Sequence, residues 1–267
     1  MRVNKKFLAI IIILIGLIIT FVAHCENKTE EVSAEGTLRN EKIEWGLKRA
    51  KNNEQPVFDE KSRELIEAYN GITIGNNDEK YVYLTFDLGF EAGYTDSILN
   101  TLKENNVTAA FFITGHYLNT SEELVKKMIE NGNIVGNHTV NHHSMPSLNN
   151  DELREEIMNL HTALYEKTGY EMNFIRPPKG EFSERNLELI NSLGYTNVMW
   201  SFAYDDWDDK KQNREEYGKK KIIDNIHNGA VILLHATSKD NMNILDEVIK
   251  EIKNEGYEFR SLRDFKK

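Results

Sequence analysis

A single cysteine, Cys25, stands in the 267 residues, so no intramolecular disulfide can form and the fold must be held by its core alone. Proline is nearly as scarce: there are four, and two of them are adjacent at Pro177-Pro178, which marks that turn as rigid. A basic surplus is missing too, since 33 Lys and Arg stand against 43 Asp and Glu for a net charge of −10. Without a basic stripe the chain lacks the electrostatic footprint of a nucleic-acid binder, and the domain has no excess of cations to hold an anionic lipid surface. An anionic substrate would have to be met by a few local cations.

Charge is absent altogether from Phe7 to Ala23, a run preceded by Arg2, Lys5 and Lys6 and followed by polar residues from His24. Residues 1–25 therefore read as a signal peptide or an N-terminal membrane anchor. The run sits at the short end of the roughly 17–25 residues that span a bilayer, which suits either. Basic residues ahead of it leave the remainder of the chain outside the cytoplasm. The chain is expected to be exported, at the extracytoplasmic face of the cell membrane or in the cell wall, with the N-terminal segment meeting the membrane. Cys25 invites lipid attachment, but His24 stands where a small residue is wanted. Residues 26–40 carry little to bury and read as a flexible stalk. Residues 41–80, with Trp45, Phe58 and a helical pattern through Leu65, Ile66 and Tyr69, read as a collar packing on the domain at 81–267.

From Tyr81 onward, short apolar runs alternate with amphipathic stretches, the pattern of an α/β barrel or parallel sheet with helices outside. The runs predict strands at 81–86, 109–113, 133–137, 173–176, 197–201, 230–234 and 257–261. Helices are predicted at about 95–105, 121–131, 150–167, 184–193, 219–227 and 242–254. Polar residues follow the strands: Asp87, His138, Arg176 and His235. In barrels of this kind the C-terminal strand ends converge on one face, where catalytic groups collect.

Each motif has a plainer reading beside the chemical one. His138 and His142, four apart, would project from one face of a helical turn and could share a divalent ion, but helix surfaces carry such pairs by accident. His143 should point away. Asp87 could be a general base, a metal ligand or a loop cap. Arg176-Pro177-Pro178-Lys179-Gly180 reads as an exposed rigid turn holding two cations, or as an ordinary strand-to-helix connection. His235 closing an apolar strand, and Trp200 and Trp207, could all be core residues.

Taken in order, Thr85-Phe86-Asp87-x-Gly89, His138-Thr139-x-x-His142, Arg176-Pro177-Pro178-x-Gly180, Asp206-Trp207 and Leu233-Leu234-His235 resemble the polysaccharide deacetylase family, carbohydrate esterase family four. The resemblance spans about residues 81–262. Trp45-Gly46-Leu47-Lys48 and Phe86 to Thr95 resemble the branch of peptidoglycan deacetylases that form muramic δ-lactam in spore formers. The family implies a distorted (β/α)7 barrel of the NodB-like type and metal-assisted removal of acetyl groups from glycans. It implies Asp87 as base, His235 as acid oriented by Asp206, Arg176 beside Asp87, and His138 and His142 as ligands of a divalent metal ion, zinc first. It also implies Gly180, Trp207 and Leu233 around the substrate, while Lys179 stands where many relatives carry an aromatic residue and could pair with the lactyl carboxylate that distinguishes muramate. In most of the family a second Asp, the third metal ligand, follows the first. Here that position is Leu88, which implies a loosely held metal and points to the muramic-lactam branch. The expected partner is a peptidoglycan glycan strand, met by a monomer, with N-acetylmuramic acid as the reacting sugar in spore cortex. The rivals are a deacetylase of N-acetylglucosamine or another polysaccharide, and a non-catalytic wall-glycan-binding relative.

Overall fold

The computed structural model describes residues 38–50, 53–208 and 210–265. The predicted signal or anchor and most of the predicted stalk lie outside the described residues. Among the described residues no helix is long and apolar enough to cross a membrane.

The sheet is organised by β4 (Tyr81–Leu88), eight residues of which seven are buried. Side chains alternate across a strand, so Tyr83, Thr85 and Asp87 share one face, and Val82, Leu84, Phe86 and Leu88 the other. The second set joins the layer packed beneath the helices. Tyr83 instead packs inside the barrel with Ala110, Phe112, Ile134, Val198, Val231 and Leu262. A strand covered on both faces reads as an almost continuous apolar run, which is why β4 shows little polar alternation until its end.

Six parallel strands follow the order β10 (Ala230–His235), β4, β5 (Ala110–Ile113), β6 (Ile134–Asn137), β7 (Phe174–Ile175) and β9 (Thr196–Asn197). The seventh, β11 (Glu258–Phe259), pairs with the start of β4. Val82 pairs with both Ala230 and Phe259, and Thr85 with both Leu233 and Ala110, so β11 and β5 share the edge of β4 opposite β10. The curled sheet closes where the chain after β9 meets β10, through a parallel bridge of Phe202 with Ile232 and a Leu233 N–H to Phe202 carbonyl bond of 2.8 Å. This is a distorted (β/α)7 barrel.

All seven predicted strands occur, though those at 173–176, 197–201 and 257–261 shorten to two residues each. The helices are α1 (Glu60–Ala68), α2 (Thr95–Glu104), α3 (Gly115–Thr120), α4 (Glu122–Glu130), α5 (Asn150–Thr168), α6 (Glu184–Ser192), α7 (Glu215–Ile223) and α8 (Lys239–Asn254). Helix α3 has no counterpart among the predicted helices; the Thr114 hydroxyl caps it by accepting the Tyr117 N–H. Helix α7 starts four residues before the predicted 219, with Glu215 and Glu216 in its first turn where the helix dipole favours acid. Helix α5 has a complete capping box, Asn149 with Glu152, and ends on Gly169 at φ 71°.

Residues of the predicted collar clasp the barrel side. β1 (Ile43–Glu44) pairs with β8 (Glu181–Phe182), and β2 (Leu47–Lys48) with β3 (Val57–Phe58). Trp45 stacks on Phe58 and shares a cluster with Ile66, Phe182, Leu187 and Met199. Ile72 bonds to both Asn197 and Met199, which covers the outer edge of β9.

Candidate active site

The inner face of β4 changes from apolar to polar along its length: Tyr83 in the barrel floor, Thr85 above it, Asp87 at the top. Arg176, directly after β7, fills the space between them and has no exposed surface. Its Nη1 donates to Asp87 Oδ1 at 2.7 Å, its Nη2 to Thr85 Oγ1 at 2.9 Å and Met199 O at 3.2 Å, and its Nε to Val198 O at 3.0 Å. The guanidinium also lies over the Phe112 ring, 4.3 Å from its centroid. A buried cation is tolerable only when its donors are met and a counter-charge is close, and both conditions hold here. The turn at 176–180 differs from the exposed one expected: Pro177, Pro178 and Gly180 are buried, and only Lys179 is exposed. The reason is the collar, which covers the turn by pairing β1 with β8 and through a Trp45 N–H to Gly180 carbonyl bond of 2.9 Å.

Burial alone would push the Asp87 carboxyl up. The charge of Arg176 and the bond it donates, with the charge of His235, outweigh it and hold the group below the usual carboxylate range. Asp87 Oδ2 lies 3.5 Å from His138 Nε2. The two histidines do meet, though not by the expected helical turn. Residues 138–144 form no helix, and Thr139 and His142 both adopt positive φ, 64° and 58°. Thr139 N–H bonds the Asn137 side chain at 2.8 Å, and Thr139 Oγ1 accepts the His142 N–H at 3.0 Å, closing a tight turn that folds His142 back over His138. His143 lies on the outside, as expected, with 57 % of its side chain exposed and Nδ1 3.6 Å from Glu156.

His138 Nδ1 is 2.8 Å from the carbonyl oxygen of Arg176. A carbonyl only accepts, so this nitrogen carries the hydrogen and Nε2 is left as a bare lone pair. Burial lowers the pKa of His138; it also takes His142 down to about 4, with His138 and Lys179 adding to the effect. Both rings are therefore neutral at pH 7. Their Nε2 atoms stand 3.2 Å apart, so a proton or a cation must lie between them. In a tetrahedral zinc site two imidazole nitrogens stand roughly 3.3 Å apart, given bonds of about 2.0–2.1 Å. The pair therefore fits a divalent ion, with the Asp87 carboxylate beside it. Among the described residues no group of three or more His, Cys, Asp or Glu is arranged as a fuller ligand set. Leu88, next to Asp87 on β4, is fully buried in the layer beneath the helices and turns away from the site.

Across the site, His235 is the strand partner of Asp87. Its Nδ1 is 2.9 Å from Asp206 Oδ1, and its backbone N–H donates to Asp206 Oδ2 at 2.7 Å. Burial works to lower the His235 pKa; the Asp206 charge and bond, then Asp87, overcome it, and the net direction is up. Asn241 completes the arrangement by donating to Asp206 Oδ2 at 2.6 Å, while its own Oδ1 accepts from the Tyr204 hydroxyl. Of the remaining predicted substrate residues, Leu233 is buried in β10 beside Thr85, and Trp207 is 64 % exposed on the loop after Asp206. Sequence reasoning missed Asn241 and Glu156, because a single Asn or Glu inside an amphipathic helix carries no local signal.

The polysaccharide deacetylase family model matches residues 74–198. The chain is 40% identical over 226 residues to the peptidoglycan-N-acetylmuramic acid deacetylase PdaA of Bacillus subtilis, covering 84% of this chain and 86% of the relative. The solved structure of B. subtilis PdaA, described as a family 4 carbohydrate esterase, superposes with a TM-score of 0.83 at 39% identity, covering 85% of this chain and 98% of that one. A peptidoglycan-N-acetylglucosamine deacetylase of Bacillus cereus is 32% identical over 201 residues, 74% of this chain and 72% of the relative.

Proposed function

The chain belongs to the polysaccharide deacetylase family, and on that premise we propose that it is a hydrolase that removes the N-acetyl group from N-acetylmuramic acid in peptidoglycan. The similarity to B. subtilis PdaA over most of both chains supports muramate, ahead of the glucosamine named for the more distant B. cereus relative. The place we assign it is muramic δ-lactam formation in spore cortex. There it would act as an exported monomer at the extracytoplasmic face, with the apolar N-terminal segment as signal or anchor.

One observation carries the catalytic reading. A buried Arg176 holds the ionised Asp87 3.5 Å from His138, the inner of the paired histidines, while Asp206 holds His235 on the neighbouring strand. A non-catalytic glycan binder has no use for a carboxylate and an imidazole facing one site with their charge states set in opposite directions.

Amide hydrolysis needs an activated water, a stabilised oxyanion and an acid for the leaving nitrogen. His138 and His142 would hold a divalent ion, zinc first, which supplies Lewis-acid polarisation and lowers the pKa of water. Asp87 takes the proton of the attacking water as its oxygen bonds to the acetyl carbon; Arg176 keeps that carboxylate ionised until then. The Gly180 N–H is engaged with Pro177 O at 3.1 Å, so the backbone donor we assign to the oxyanion is that of Lys179. As the carbon–nitrogen bond breaks, His235 gives its proton to the sugar nitrogen and acetate leaves. Asp206 fixes the imidazole so that Nε2 is the atom that faces the substrate. Trp207 and Leu233 are assigned to the acetyl methyl, and Lys179 to the lactyl carboxylate that distinguishes muramate.

The test is mass spectrometry of peptide-stripped glycan after incubation with the full-length protein. Loss of acetyl from muramate in the wild type, and its absence with Asp87→Asn, is the expected result. Acetyl loss from glucosamine alone would overturn the substrate, and unchanged turnover by Asp87→Asn would overturn the mechanism.

A further inference from the structure

The turn that carries His142 is held from the helix beneath it. Glu156 sits in the middle of α5, is 8 % exposed, and takes no part in the proposed hydrolysis. Its carboxylate points into the turn, where Oε2 accepts the Asn141 backbone N–H at 2.8 Å and Oε1 accepts the Asn141 side-chain amide at 2.5 Å. Its own backbone carbonyl accepts the Val140 N–H at 3.1 Å, and the next carbonyl, of Ile157, accepts the Asn137 amide at 2.9 Å. One helical turn of α5 thus receives donors from three residues of the segment 137–141.

The arrangement matters because of what it fixes. Thr139 and His142 both occupy the left-handed region, which costs a residue with a Cβ about 1–3 kcal/mol and persists only where the surroundings over-determine it. Glu156 locks the Val140–Asn141 peptide and the Asn141 side chain, one residue ahead of His142, so it sets the direction from which that imidazole approaches His138. The geometry points to Glu156 as a positioning residue for the two-histidine metal site, acting through Asn141 on the orientation of His142. With Leu88 in place of a third carboxylate ligand, the site depends more heavily on the preset angle between its two rings. The inference rests on the reading of His138 and His142 as metal ligands.

Partners that orient metal ligands typically matter at the level of 10–100-fold in metal affinity. Zinc affinity of the full-length protein, measured by competition with a chromophoric chelator, should therefore weaken roughly 10–100-fold in Glu156→Gln, which presents an amide N–H to the Asn141 donors. Glu156→Asp, which keeps the charge but falls short by one methylene, should lie between. Glu155→Gln removes the same charge from an exposed neighbouring position and should bind zinc like the wild type. Cobalt(II) titrated into each protein should show an altered d–d spectrum only in the Glu156 variants, a signature that loss of helix stability would not produce. Melting of the metal-free proteins separates misfolding from weakened binding. Equal zinc affinity in wild type and Glu156→Gln, or an equal loss in Glu155→Gln, overturns the assignment. Failure of the wild type to bind zinc at all overturns the ligand reading with it, whereas wild-type zinc binding without deacetylation would count only against the proposed function.

Discussion

Arg176 Nη1 lies 2.7 Å from Asp87 Oδ1, and the guanidinium that makes this bond has no exposed surface. The pair is a buried ion pair of the barrel and the support of its proposed base. Removing one partner of a buried pair leaves the other charge uncompensated, at a cost of about 3–5 kcal/mol. Arg176→Met should therefore lower the urea midpoint substantially. It should also abolish acetate release, because burial, no longer opposed by Arg176, drives the Asp87 carboxyl toward its neutral form. A variant as stable as the parent would show that the pair is not what holds this face together.

The second pair predicts a pH profile. His235 must be protonated to act as the acid, and its pKa is raised by Asp206 and Asp87 against the effect of burial. Activity should hold through neutral pH and fall as pH rises through that raised value. In Asp206→Asn the main raising influence is gone and burial remains, so the alkaline limb of kcat should move to lower pH. The acid limb, which belongs to Asp87, should stay nearly where it was. Acetate release followed over the whole pH range in which the protein stays folded, down to the carboxylate range, would show the alkaline limb move while the acid side holds. A parallel shift of both would sink the assignment.

Much of the barrel and its site was legible in the sequence, for reasons that differ from residue to residue. Strand β4 could be read because a parallel strand buried on both faces is a continuous apolar run, and its first polar interruptions, Thr85 and Asp87, fall on the inward face. Arg176, His138 and His235 could be placed because each ends a strand, where the topology forces convergence. The turn at 138–142 could not be read. Its two positive-φ residues are Thr139 and His142, not glycines, and what holds them is Glu156 and Ile157 from a helix that starts well downstream. The burial of Pro177 and Pro178 was hidden for the same reason, since the residues that cover the turn come from a segment more than 130 positions earlier, around Trp45.

That cover can be tested at Gly180, whose φ is 69°. A Cβ there would stand 2.7 Å from Trp200 Cη2 and 3.2 Å from Trp45 Cβ. Gly180→Ala combines a disfavoured backbone region with a clash against two indole-bearing residues, and should cost about 1–3 kcal/mol. Because the turn also positions Lys179 and follows Arg176, kcat/KM should fall with stability. Thermal melting alongside acetate release would check both; an unchanged melting temperature would mean that the collar sits more loosely on the turn than its hydrogen bonds imply.

Lys179 offers the sharpest test of substrate choice. It is the one exposed residue of an otherwise buried turn, and its charge is felt by His142. Muramate differs from glucosamine by a lactyl carboxylate, so a cation at this position adds attraction for one sugar and nothing for the other. The ammonium remains partly solvated, which limits its worth to about 1 kcal/mol, or roughly fivefold in a ratio of kcat/KM values. Lys179→Tyr should lose most of that preference on matched muramate and glucosamine substrates, through KM rather than kcat, since the charge lies outside the bond-breaking groups. Added salt should erode the wild-type preference in the same direction, because a solvated ion pair is screened. If the tyrosine variant keeps the full preference, selection of muramate must come from the shape of the groove and not from this cation.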